Sequence, residues 1–343
     1  MANILAIRFS ALGDVAMTVA VLKAFADQYP HDHITLLSRP VAAALVEGLP
    51  QNVHLRTVNL NDYKGLLGLR RLSRELMGEG YDVLVDWHDV LRSKAIRFFF
   101  FSGERRVECI DKGRKQRKML TRQKNKIHVQ LTPSPKRYAD ALRAAGFPIE
   151  LKPYSVWPHA EADISDLTHF VGQKGDSKWV GIAPFAAHEG KIYPLHLMAQ
   201  VIDEIMQHGG VRIFLFGSGE QERNWCEQQE RAHGGVVSLV GKTNLRAELR
   251  LMNNMDAMLT MDSANMHLGA LAGTRTVSVW GATHPLAGFG GMQMEGSVQV
   301  QLDMECRPCS IFGNKRCRYG DYRCMARIEP HKVAQSVIKC ISE

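Results

Sequence analysis

Short apolar runs alternate with amphipathic stretches along this chain, and that alternation restricts it to parallel sheets crossed by helices. The first half opens with a predicted strand at Ile4–Phe9 and a helix from about Val15 to Asp27. In that helix Val15, Val19, Leu22 and Phe25 fall at helical spacing, and Pro30 ends it. A strand at His33–Leu37, a helix near Lys64–Met77 and a strand at Tyr81–Asp86 follow. Tyr138–Ala145 reads as a helix that closes this half. The second half restarts the pattern: strand Trp179–Phe185, helix Leu195–Gln207, strand Val211–Phe216. Val236–Val240, Ala257–Met261 and Thr276–Trp280 are further short strands. Residues 148–178, with Pro148, Pro153 and Pro158, form the predicted linker. The expectation is therefore an α/β chain of two doubly wound, Rossmann-like domains, 1–155 and 156–343, facing a cleft.

At 343 residues each half is large enough for its own core. No apolar run approaches the roughly 20 residues needed to span a bilayer. Phe98–Phe101 is short and flanked by Arg97 and Arg105. The N-terminus reads as a strand, with no basic lead-in and no small-residue cleavage site, so a cytoplasmic location is expected. The net charge of +8 is concentrated. Between Lys112 and Arg137 there are ten Lys or Arg and no acid. Such a run serves a polyanion or is a solvated loop. It contains no aromatic residue to stack on bases, which disfavours nucleic acid.

Three strand-to-helix junctions carry candidate chemistry. At Met261-Asp262-Ser263-Ala264-Asn265-Met266-His267, an Asp and a Ser stand where helix N-caps stand. Backbone N–H groups and the helix dipole there favour an anion, and His267 lies one turn in. The segment reads as a diphosphate cradle, or as an ordinary capped helix with a core histidine. Ser10-Ala11-Leu12-Gly13-Asp14 occupies the first junction with a single Gly, not the Gly-x-Gly-x-x-Gly of dinucleotide sites. Asp14 is a candidate general base there, or simply an acid at a helix start. Lys191, just before Tyr193-Pro194, is placed to neutralise a phosphate or to sit solvated in its loop. Gly217-Ser218-Gly219-Glu220-Gln221-Glu222 is a weaker signal, with Glu220 or Glu222 available to a ribose or a base edge.

Seven cysteines, an odd number, argue against a disulfide framework. Cys306, Cys309, Cys317 and Cys324 cluster in one loop, as a structural zinc site, as reduced thiols or, less in keeping with the odd count, with a disulfide among them.

These pieces, in this order, resemble the ADP-heptose:lipopolysaccharide heptosyltransferases, glycosyltransferase family nine. The resemblance runs through Ser10–Asp14, Lys191-Ile192-Tyr193-Pro194, Gly217–Glu222, Asp262–His267 and the cysteine loop ending Cys324-Met325-Ala326-Arg327-Ile328-Glu329-Pro330. It implies a GT-B fold and inverting transfer of a heptose from ADP-heptose to the inner core of lipopolysaccharide, with no metal required. It implies Asp14 and Lys191 as the catalytic pair, Asp14 as base and Lys191 on the leaving diphosphate. Ser10, Gly13, Gly217, Glu220, Asp262, Ser263, Ala264 and His267 would bind the donor, with N–H groups at Ser263 and Ala264 on the phosphates. The implied acceptor is a phosphorylated, Kdo-bearing lipid A at the inner face of the inner membrane. Lys115, Arg117 and Lys118 would meet that acceptor or the anionic leaflet as a peripheral contact. Two departures stand out. Ala264 replaces the usual Gly, and Tyr193 replaces the common Trp, a change expected to alter packing at the sugar or the nucleoside. Another GT-B enzyme, such as a nucleotide-sugar epimerase, or a non-enzymatic nucleotide-sugar or polyanion binder, are the competing readings.

Overall fold

The computed structural model describes residues 1–101, 105–290 and 293–342. The chain forms two compact units: Met1–Arg114 with Thr132–Tyr154, and Lys115–Leu131 with Ser155–Glu343. Lys115–Leu131, an insertion in the first half of the sequence, thus packs with the second unit.

The first unit is built on β1 (Asn3–Ile7), α1 (Leu12–Gln28), β2 (His33–Ser38), α2 (Ala43–Val46) and β3 (Val53–Thr57). It continues with α3 (Gly65–Gly78), β4 (Val83–Asp86), α4 (Leu91–Phe100) and β5 (Arg106–Cys109). The strands lie in the order β3-β2-β1-β4-β5, all parallel. Parallel strands covered on both faces read as continuous apolar runs, which is why β1 and β2 are buried almost throughout. One core is formed by Leu5, Ile7, Leu37 and Leu84 of the sheet with Leu69, Leu72, Leu76, Ile96 and Phe100 of the helices. After the basic helix α5 (Arg114–Thr121), α6 (Ser134–Ala144) returns to this unit and packs on α1. Twelve of the seventeen α1 residues are buried, so its helical periodicity is nearly lost in an all-round apolar face.

The second unit contains α7 (Thr168–Val171), β6 (Lys178–Ala183), α8 (Leu195–His208), β7 (Val211–Leu215) and α9 (Gly219–Ala232). Next come β8 (Val236–Ser238), α10 (Leu245–Asn253), β9 (Ala257–Met261), α11 (Ala264–Leu271), β10 (Thr276–Trp280) and β11 (Val298–Gln301). α12 (Arg323–Ala326) and α13 (Pro330–Ser342) complete it. Its sheet runs β11-β10-β9-β6-β7-β8, again all parallel. Val333, Val337 and Ile341 of α13 join the core of Ile182, Val201, Ile205 and Leu259.

The segment read as a linker is laid along the second unit beyond Tyr154. Val156 N–H donates to the Leu271 carbonyl, and Ala160 and Ala162 N–H donate to the backbone and side chain of Asn253. The basic stretch is not a plain loop either, since α5 occupies its middle.

Both sheets reverse direction at their centre. In the first, the chain moves outward from β1 through β3, then returns beside β1 as β4. In the second, β6 through β8 lead outward and β9 returns beside β6. Such a reversal opens a crevice at the carboxyl ends of the two central strands, where parallel sheets bind ligands. The loops after β1 and β4 lie there in one unit, and those after β6 and β9 in the other.

Candidate active site

In the second unit the reversal point brings Lys191 and Asp262 together. Asp262 directly follows β9, and Lys191 ends a short 3-10 turn, Glu189–Lys191, after β6. Lys191 Nζ lies 2.9 Å from Asp262 Oδ2, with the Asp side chain 3% and the Lys side chain 15% exposed. The carboxylate holds an otherwise mobile ammonium at the mouth of the crevice. Gly313 holds its stem: at φ +78°, a Cβ there would sit 2.6 Å from Lys191 Cγ. The loop carrying Gly313 therefore presses on Lys191, a contact with no local sequence signal.

Ser263 is the N-cap residue of α11, in extended conformation. Its N–H, expected to face a ligand, instead turns back to the Met261 carbonyl at 2.7 Å. Its hydroxyl is buried and has no hydrogen-bond partner among the described residues, as is true of Thr260 and Thr283. The first N–H groups of α11, from Ala264 onward, have no intrahelical acceptor. Ala264 enters the helix at helical φ, where its methyl costs nothing in backbone strain. His267 lies one turn into α11, half-buried. An unpartnered hydroxyl, a helix N-terminus and a fixed ammonium together set positive potential and open donors at one place, chemistry suited to an anion.

The Gly217–Glu222 turn separates its two acids. Glu222 Oε2 accepts the Ser218 N–H at 2.6 Å and caps α9. Glu220 is exposed in the first turn of the same helix, and Gly219 adopts φ +76°. Tyr193 corrects an expectation. It is fully buried, and its hydroxyl donates to the Ile328 carbonyl at 2.6 Å. Its ring packs in the core, with no exposed surface to offer a sugar or a nucleoside.

In the first unit Asp14 sits in the first turn of α1 and accepts the Ala11 N–H at 3.3 Å. Arg8, at the end of β1, reaches Asp14 Oδ2 at 2.5 Å and also donates to the Trp87 carbonyl at 2.8 Å. Asp14 keeps a quarter of its side chain exposed, while Arg8 is buried. The carboxylate is thus fixed on one oxygen and open on the other side. His88, after β4, stands 3.5 Å from Ser10 Oγ. Burial, with help from Arg8 and Lys112, pushes its imidazole down to about 3, so the ring is neutral. Gly13 is buried in the first turn of α1. Ser10 and Gly13, read as donor ligands from the sequence, belong to this unit. Arg8 and His88 were not singled out in the sequence, because a lone Arg at a strand end and a lone His carry no spacing pattern.

Asp86, Asp89 and Cys109 form the group of three metal-ligand atoms within 4.8 Å of one another among the described residues. Arg97 and Lys94 lie 3.5 Å from those carboxylates, and Arg114 pairs with Asp89. Burial pushes the Cys109 thiol up to about 11. The cations already neutralise this cluster, so it is a charge network of the fold and not a cation site.

The four loop cysteines are free thiols that line one cavity. They are not among the described groups with three donor atoms within 4.8 Å. A zinc tetrathiolate, with Zn–S of about 2.3 Å, needs its sulfurs drawn closer than this. Of the basic residues expected to meet lipid, Lys115 and Lys118 are exposed on α5. Arg117 is placed differently: its guanidinium stacks 5.1 Å over Phe289 and 5.8 Å over Phe312.

Comparison with known proteins meets this geometry. Residues 69–318 match the family model of Glycosyltransferase family 9 (heptosyltransferase). Lipooligosaccharide heptosyltransferase 2 of Haemophilus influenzae is 27% identical over 304 residues, 82% of this chain and 84% of that protein. The glycosyl transferase family 9 protein of Veillonella parvula superposes with TM-score 0.77 at 17% identity, over 99% of this chain and 97% of that one. The ADP-heptose lps heptosyltransferase II of E. coli does so with TM-score 0.72 at 18% identity, over 99% and 98%.

Proposed function

The chain belongs to glycosyltransferase family 9, the heptosyltransferases, and from that premise we propose that it moves a heptose from ADP-heptose to the inner core of a lipopolysaccharide, with inversion. The observation that carries the reading is the Lys191–Asp262 pair beside the N-terminus of α11, with the unpartnered Ser263 hydroxyl next to it. A nucleoside diphosphate leaving group needs positive potential that is in place before the bond breaks. Lys191, the Ser263 hydroxyl and the first N–H groups of α11 would supply it. Asp262 would hold Lys191 in position, and His267 would contact the sugar or the phosphates. Glu220, exposed at the start of α9, is the acid we assign to the nucleoside, since Glu222 is occupied as a cap. On this reading the second unit binds the donor and the first binds the acceptor.

Asp14 would take the proton from the acceptor hydroxyl. The oxygen would then attack the anomeric carbon as the bond to ADP breaks, leaving ADP and a protonated Asp14. Arg8 orients the carboxylate through the ion pair on Oδ2. The acceptor would be a phosphorylated Kdo-lipid A, reached from the inner face of the membrane. Among the described residues no helix is long and apolar enough to cross a membrane. Exposed Lys115 and Lys118 would give a peripheral contact with anionic lipid.

Calorimetric titration with ADP, UDP, GDP and CMP tests the donor assignment. We expect ADP to bind selectively and Lys191→Ala to abolish that binding. Selective UDP or GDP binding would overturn ADP-heptose as donor. Asp14→Asn should lower kcat by about 10²–10⁴-fold and leave ADP affinity unchanged. Full turnover in that variant would remove Asp14 from the chemistry.

A further inference from the structure

The basic insertion and the cysteine loop, far apart in sequence, close round one cavity of about 130 Å³ in the second unit. Arg122 and Lys126 come from the insertion, and Lys315, Arg316, Arg318 and Arg323 from the loop. Glu305 is the one acid among the described residues that line it. A seventh cation, Arg307, is buried, and its guanidinium is occupied by the carbonyls of Gly281, Leu302 and Thr283. It builds the wall. Among the described residues two carboxylates stand against the other six, Glu305 near Lys126 and Arg318 and Asp321 paired with Arg323, so positive charge remains in excess. Lys126 is drawn into the wall by the carbonyls of Cys306 and Pro308. Burial holds its ammonium below the ordinary value, against the opposite pull of Cys309 and Cys306.

Two of the cations are pre-aimed. The guanidiniums of Arg318 and Arg323 stack on Tyr319 at 4.6 and 4.0 Å from its ring centroid. Arg318 also donates to the Tyr319 hydroxyl. Stacking of this kind lowers the ordering cost when an anion arrives. An open groove of about 450 Å³ continues from the cavity; Glu305, Cys306, Arg318, Tyr319 and Arg323 wall both, and Asp303 joins them in the groove, whose mixed charge suits the neutral hydroxyls of a sugar. The cavity is smaller than the roughly 300–1,000 Å³ that takes a whole small molecule. It is sized for one charged group whose remainder lies in the groove.

We propose that this cavity is an anion subsite, which takes a phosphate or carboxylate substituent of the saccharide acceptor while the sugar lies in the adjoining groove. This rests on the reading that the acceptor is an anionic core saccharide, and it assigns part of acceptor recognition to the second unit. It also gives the cysteine loop a role. Cys309 and Cys324 are pushed up by burial, to about 11 for Cys324, so they are neutral wall material beside the cations. Cys317 differs: despite burial, the N–H groups of Tyr319, Tyr322, Gly320 and Asp321 hold its thiol below the ordinary value. It is the natural reporter of occupancy.

The test labels Cys317 with iodoacetamide in the intact protein, saturated with ADP so that the donor phosphate site is filled. Inorganic pyrophosphate, a phosphorylated acceptor saccharide or its dephosphorylated form is then added. Pyrophosphate and the phosphorylated saccharide should slow labelling, the dephosphorylated form should not, and Arg316→Ala/Arg318→Ala should lose the protection. The same double variant should raise KM for the phosphorylated acceptor by about 10-fold or more, with kcat and ADP affinity unchanged. Labelling that ignores both anions, or an equal rise in KM for the dephosphorylated acceptor, overturns the proposal. Protection by pyrophosphate alone would mean the cavity takes free phosphate, which overturns the acceptor assignment. ADP affinity is read separately by calorimetry, so failure of the donor reading and failure of this one are distinguishable.

Discussion

His88 shows what a single side chain pays no heed to in sequence: its charge is set by its surroundings. It is 8% exposed, and its Nδ1 is buried without a partner among the described residues. Its pKa of about 3 in the fold stands against about 6.5 in the unfolded chain. The unfolded chain therefore takes up the proton first as pH falls. The stability linked to His88 is fully present above about pH 6.5 and is lost progressively toward about pH 3. His88→Gln, which cannot be protonated, should flatten this dependence. Urea unfolding of both proteins between pH 7 and pH 4 should show the parent losing more stability, by up to about 1.4 kcal/mol per pH unit. Equal slopes would remove His88 from the acid response. His284, pushed by burial to about 4, titrates in both proteins and cancels in the comparison. Tyr193 makes the complementary point about legibility. Its place beside Lys191 in the motif is evident in sequence, but its burial depends on Ile328, 135 residues away.

At the scale of elements, the central strands and the helices α1, α3, α6 and α8 were legible, as was the edge strand β8, whereas the edge strands β3, β5 and β11 and the helices α4, α10 and α13 were not. β1, β6 and β9 are apolar runs because helices cover both faces of their sheets. β3 reads Val-His-Leu-Arg-Thr with none of its residues fully buried, and β5 is four residues long. An edge strand half in water carries no apolar run, so neither was visible. α5 was hidden for another reason: its charge dominated the reading, while its contacts with distant aromatic rings could not be seen. Those contacts yield a prediction. Arg117→Ala removes a stacked guanidinium from Phe289 and Phe312, and should destabilise the protein by about 1–2 kcal/mol. Lys115→Ala and Lys118→Ala, on the exposed side, should stay within about 0.5 kcal/mol of the parent. Thermal unfolding of the three variants decides it. A loss in Lys115→Ala equal to that in Arg117→Ala would show α5 held by charge alone. Anionic-vesicle binding should follow the reverse order, falling in the two lysine variants more than in Arg117→Ala.

For the whole molecule, the repeated architecture fixed where sites could lie but not which unit takes which substrate. Both units have a parallel sheet that reverses at its centre, and each places an acid next to a cation there, Asp14 with Arg8 and Asp262 with Lys191. The two differ in what surrounds the pair. Asp262 is 2% exposed and its partner is a lysine beside an uncapped helix start, which favours binding a diphosphate. Asp14 is a quarter exposed and its partner Arg8 is the buried member, which leaves the carboxylate to act on an incoming hydroxyl. On the function we propose, this asymmetry supports placing the nucleotide on the second unit, and amide hydrogen exchange tests that placement directly. ADP should slow exchange at residues 188–193 and 263–267, because the ligand would tie down the Lys191 turn and occupy the open N–H groups of α11. The effect should reach residues 217–222 if Glu220 meets the nucleoside. Residues 8–14 should be unaffected by ADP alone, since on this assignment they wait for the acceptor. Protection centred on residues 8–14 would reverse the roles of the two units, and with them the identity of the base.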